Sequence, residues 1–214
     1  MMNDPLEWEI PDAMLNRRKL DLAVPVLKLN SSPAWGLAYH DMSPAARIVL
    51  NIREPVGYIN SWYNRFVPNA DKAHFRNRFP SACRILEHFG QSGRIDRLSR
   101  LTDADLIEIE LWRWRYTNEV TYERLKGSDR FMTVTYAEVD NDAVAVARKL
   151  YEFAGLQSDQ VAMGQIAAMQ NTLFADRRPS RIDRRILDRL LPDVLGDSLL
   201  AGVVGMNLGL PSFS

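Results

Sequence analysis

Arginine and serine stand eight positions apart in "RIVLNIREPVGYINSWYNRF", at Arg53 and Ser61. A guanidinium can grip a phosphate through two parallel N–H bonds, and a hydroxyl can donate a third bond without adding charge. The pair is a candidate phosphate clamp if Arg53 ends a strand and Ser61 lies early in the helix that follows. The same spacing also suits a plainer arrangement, in which Arg53 closes the strand beside Glu54 and Ser61 faces solvent. Other groups could join such a site. Lys28 ends "PVLKL", His40 lies in "LAYHDMSP", and "FADRRPSRIDRR" carries Arg178 and Arg181. That last run also reads as a solvated helix face, with Asp176, Asp183 and Asp188 balancing its arginines.

Three segments read as the strands that must position these residues. "LAVPVLKL" (Leu22 to Leu29), "RIVLNI" (Arg47 to Ile52) and "FMTVTY" (Phe131 to Tyr136) are short apolar or β-branched runs near turn residues. That is the pattern of parallel strands covered on both faces. Helix signals alternate with them. Pro55 suits a first helical turn directly after Arg53, and Thr102 suits the cap of a long helix that stops at Lys126 and Gly127. Ile107, Leu111, Trp114 and Leu125 fall near one face of that helix, so Trp114 is read as core rather than as the wall of an acceptor pocket. After "FMTVTY", Asp140 is the expected N-cap of "AVAVARKLYEFAGL", and Gly155 supplies its left-handed stop. Alternating strands and helices predict an α/β fold, a central parallel sheet flanked by helices, in a single domain spanning residues 1–214. Ligands of such sheets bind at the carboxyl ends of the strands, where helix N-termini direct N–H groups outward. Arg53 stands at such an end.

Composition narrows the partners. Hydrophobic residues make up 46% and charged residues 25%, as in a folded globular protein. With 27 basic and 27 acidic residues there is no net charge to draw the chain to nucleic acid or anionic lipid, so an anion must be met by a local cluster. Cys83 is the only cysteine, which excludes an internal disulfide and fits a reducing, cytoplasmic compartment. No segment offers the roughly 18 uninterrupted apolar residues of a membrane span, and "LLAGVVGMNLGL" is too short. His74 and His88 lack metal-ligand spacing, so no metal site is expected.

Read whole, the stretch around Arg53 resembles the 3′-phosphate-binding segment of the sulfotransferases that use 3′-phosphoadenosine 5′-phosphosulfate (PAPS). In that family a strand ends in Arg-x-Pro and a serine follows eight residues after the arginine, often before an aromatic pair, as in Ser61-Trp62-Tyr63. "FMTVTYAEV" is similar to the family's strand ending Tyr-Glu-Asp-Leu, and "AVAVARKLYEFAGL" to its next helix. The resemblance runs from about Pro25 to Leu156. It implies a P-loop kinase-like architecture, PAPS as sulfuryl donor with the desulfonated nucleotide (PAP) as product, and transfer to a hydroxyl or amine of a small-molecule or glycan acceptor. It assigns Arg53 and Ser61 to the 3′-phosphate and Lys28 to the sulfuryl group, where a cation offsets developing charge. Arg178 and Arg181 match the family's late basic loop by position, without that loop's glycine. A homo-oligomer is compatible with all of this.

Two departures bear on activity. Family members carry a Gly/Ser/Thr-rich loop that cradles the 5′-phosphosulfate ahead of these motifs, whereas no glycine precedes Lys28 here. The architecture is thus expected to be N-terminally abbreviated: the loop is encoded upstream, supplied by a partner, or lost in a nucleotide-binding or interaction protein that no longer transfers sulfate. Where some members place a histidine as general base two residues after the lysine, this chain has Asn30, which cannot take a proton. His40, Glu7 and Glu9 are the alternatives.

Overall fold

The computed structural model describes residues 33–69, 72–173 and 180–201. All belong to the compact unit Ser31–Ser214. The expected strand at Leu22 to Leu29 lies outside them, as do Lys28, Glu7, Glu9 and Arg178.

In chain order the elements are α1 (Pro33–Met42), β1 (Ile48–Ile52), α2 (Pro55–Phe66), α3 (Lys72–His88), the short α4 (Ile95–Leu98), α5 (Asp103–Leu125), β2 (Phe131–Thr135), α6 (Tyr136–Phe153), α7 (Gln160–Leu173) and α8 (Arg184–Leu195). The described chain is mostly helical, with a small two-stranded parallel sheet. β1 and β2 pair in register from Ile48 opposite Phe131 to Ile52 opposite Thr135.

The core gathers around α5. Its start is fixed by a capping box, in which Asp105 N–H donates to Thr102 Oγ1 and Asp105 Oδ2 accepts from Thr102 N–H. Leu101, just before, is buried with φ of 53°, a left-handed conformation that a branched side chain rarely adopts. Ile107, Leu111, Trp112 and Trp114 are nearly solvent-free and pack with Ile52, Ile59, Leu86, Leu98 and Val194 from neighbouring elements, and Leu125 near the end of the helix is buried too. Each such side chain contributes about 1.5–3 kcal/mol when fully buried.

The helix also buries polar groups, and pairing makes that tolerable. Glu108 accepts from Arg94 at 3.0 Å and Arg97 at 2.6 Å, and Arg94 continues to Asp193 of α8 at 2.8 Å. Arg115 donates to Glu119, to Asp197 and to the carbonyl of Val194. Two ion-pair networks thereby tie α8 and the turn after it to α5.

The second strand and its helix differ from expectation by a few residues. β2 ends at Thr135, and Tyr136 opens α6 through a Thr135/Glu138 capping box. Asp140 is therefore not the N-cap. Asp142 does that work locally, at φ of −153° and ψ of 86°, where its Oδ1 accepts from Ala145 N–H and α6 kinks. Gly155, at φ of 70°, ends the helix as expected.

Candidate functional site

The sheet register builds the site. Because Ile52 lies opposite Thr135 in a parallel pair, the residues that follow, Arg53 and Tyr136, emerge side by side at the carboxyl ends. The Arg53 guanidinium lies over the Tyr136 ring, 5.3 Å from its centroid. From below, Trp114 Nε1–H donates to the Arg53 carbonyl at 3.0 Å. The core helix therefore fixes the backbone from which Arg53 reaches out. Arg53 Nε is buried and, among the described residues, has no hydrogen-bond partner.

Pro55 then opens α2, as its fixed φ favours. Gly57 lies one turn in, and a Cβ there would come within 1.9 Å of Glu54 Oε1 and 3.1 Å of Arg53 Nε. The bare glycine is the cradle over which both side chains lie. Ser61 follows one turn later on the same helix face, with its side chain exposed.

The basic segment splits into two behaviours. From Arg184 onward it is a solvated face of α8, with Arg184 Nε 3.5 Å from Asp188. Arg181 stands apart, exposed between two anchored neighbours. Ile182 is buried in the core, and Ser180 Oγ–H donates to Asn60 Oδ1 at 2.6 Å. That bond brings the segment bearing Arg181 onto α2 at the residue next to Ser61.

His40 is not brought to this site. Its Nε2 lies 3.0 Å from Ser128 Oγ and its Nδ1 3.3 Å from Asp41, and its carbonyl accepts from Arg130. Ser128 and Arg130 immediately precede β2, and the Arg130 carbonyl accepts from Ile48 N–H at the first residue of β1. His40 therefore sits at the amino ends of the strands. The length of β1, roughly 16 Å at about 3.3 Å per residue, separates it from Arg53. His40 and Arg53 thus lie at opposite ends of the strand pair.

Hollows among the described residues lie elsewhere. A cavity of about 20 Å³, room for a single water, lies among Trp62, Phe75, Phe79, Glu110 and Arg113. There Tyr58 O–H donates to Glu110 at 2.6 Å, and burial pushes the Glu110 carboxyl above its usual range. An open groove of about 570 Å³ runs past His88, Phe89, Arg115, Glu119 and Arg124. Neither hollow is lined by Arg53, Ser61 or Arg181. Sequence reasoning did not single out Tyr136, Gly57 or Asn60. The aromatic after β2 was visible in "TVTYAEV", whereas the Asn60 contact has no local signal.

Among the described residues no group of three His, Cys, Asp or Glu side chains could hold a metal ion, and no helix is long and apolar enough to cross a membrane. No protein-family model, curated protein or solved structure matches the chain.

Proposed function

We propose that the chain is a sulfotransferase-like protein that holds the 3′-phosphate of PAPS or PAP between Arg53 and Ser61, with Arg181 as an approaching third group. The observation that carries this reading is Arg53 itself. It is a cation at the carboxyl end of a parallel strand, braced by Trp114 and Tyr136, with a buried Nε that makes no hydrogen bond and lies beside the side-chain-free Gly57. The residues present fit a phosphate: the guanidinium supplies charge-assisted donors and the Ser61 hydroxyl a neutral one. Within a P-loop-type architecture the donor would bring the activated sulfuryl group, and the chain's own residues would orient the nucleotide. Lys28 is the cation proposed for the sulfuryl end, with a hydroxyl or amine of a small molecule or glycan as acceptor.

A second reading has its own support. Asn30, which cannot take a proton, stands where some members of the family that the chain resembles place a histidine base. That favours a protein that binds the nucleotide without transferring sulfate. Titration calorimetry with PAP and with adenosine 5′-monophosphate tests the shared core of both readings. PAP should bind at least tenfold more tightly, through the 3′-phosphate, and equal affinities would refute the clamp. Donor-dependent sulfation over a panel of hydroxyl and amine acceptors then separates enzyme from binding protein.

A further inference from the structure

Glu54 sets a carboxylate at the mouth of the clamp. Its Oε1 lies 3.9 Å from Arg53 Nε, an ion pair beyond hydrogen-bond distance. The same oxygen rests against Gly57, in the space that any larger residue would fill. Ser61 is the next residue along that face. A negative charge therefore lies beside the cation that would hold a phosphate, over the turn that precedes Ser61. The two side chains are 35% and 39% exposed, so an incoming anion reaches both.

We propose that Glu54 is an internal competitor for Arg53. In the free protein its carboxylate takes the place over Gly57, and a phosphate binds only by displacing it into solvent. The inference rests on the phosphate-clamp reading and adds to it: Glu54 holds affinity below what Arg53 and Ser61 would give alone, so that bound nucleotide leaves readily. The contact is partly exposed and long, so the effect is moderate. The neighbouring Pro55 and the bare Gly57 serve the same end. The first turns the chain into α2 directly after Glu54, and the second leaves room for its carboxylate to lie back.

Two substitutions remove the competitor by different means. Glu54→Gln erases its charge. Gly57→Ala leaves the charge, but its Cβ would overlap Oε1 and must push the flexible carboxylate aside. Both should bind PAP about three- to tenfold more tightly than the parent protein in calorimetry. Glu54→Asp, whose shorter side chain reaches less far, should fall between. A purely structural role for Glu54 and Gly57 predicts the opposite sign, weaker binding in both variants. Measurable PAP binding by the parent with unchanged or weaker binding by Glu54→Gln overturns the competitor while leaving the clamp in place. No PAP binding by the parent or any variant overturns the clamp and the competitor together.

Discussion

The two ends of the strand pair each present an arginine, and they use it in opposite ways. At the amino end, Arg130 Nη1 donates to the carbonyls of His40, Ser43 and Ala46 at 3.0, 2.9 and 3.4 Å. That nitrogen holds the chain's entry into β1. At the carboxyl end, Arg53 is held by its backbone and by a ring face, while its Nε makes no hydrogen bond and only a long, part-exposed ion pair with Glu54. A cation whose donor goes to chain carbonyls is structural, whereas one supported from behind, with only a displaceable carboxylate in front, is placed for a ligand.

The largest expected effect tests the structural end. Arg130→Ala removes the shared donor of three carbonyls and should destabilise the protein by about 2–3 kcal/mol in chemical denaturation. The affinity of the folded fraction for PAP should stay within twofold. Arg53→Ala should do the reverse: stability within about 0.5 kcal/mol of the parent and PAP affinity reduced about 10- to 100-fold, the loss of a charge-assisted bond. If the two variants exchanged these phenotypes, the assignment of the ends would be inverted.

Smaller effects refine the contrast. Trp114→Phe deletes the donor to the Arg53 carbonyl while keeping most of the buried ring. It should cost about 1 kcal/mol of stability and weaken PAP binding severalfold, because Arg53 loses its brace. The last test uses acid. The hydrogen bond from Arg94 holds the Asp193 carboxyl below its usual range. Its contribution is thus present above the ordinary aspartate value near 3.9 and is lost as pH falls through the lowered folded value. Arg94→Gln should remove that acid-labile part, less than about 1 kcal/mol given the exposure of Asp193. The Arg130 to carbonyl bonds contain no titrating acid and should be unaffected over the same range.

Much of the scaffold was legible in the sequence because it follows local rules. Both described strands, the Thr102 start of α5, the Gly155 stop and the core placement of Trp114 each have a short-range cause. The cap of α6 falls earlier than expected because aromatic Tyr136 extends the strand-like run of β2, which masks the Thr135-x-x-Glu138 box beginning one residue before it. His40 carried a usable signal that composition hides. A residue shortly before a strand reaches that strand's amino end, so His40 could not share a site with a residue that follows β1. The Ser180 to Asn60 bond and the left-handed Leu101 had no such signal. One joins segments distant in sequence, and the other places a leucine where glycine is the usual choice.

The pairing of β1 with β2 also governs when the site can come into being. The strands are separated in sequence by α2, α3, α4 and α5, so closing the sheet requires a long loop to be ordered first, and such non-local contacts form slowly. Arg53 meets Tyr136 only once that closure is made. A nascent or partly unfolded chain therefore has the arginine but not its partner ring, and nucleotide that binds only the closed form should retard unfolding and protect the β1–β2 amides from hydrogen exchange before it protects α7.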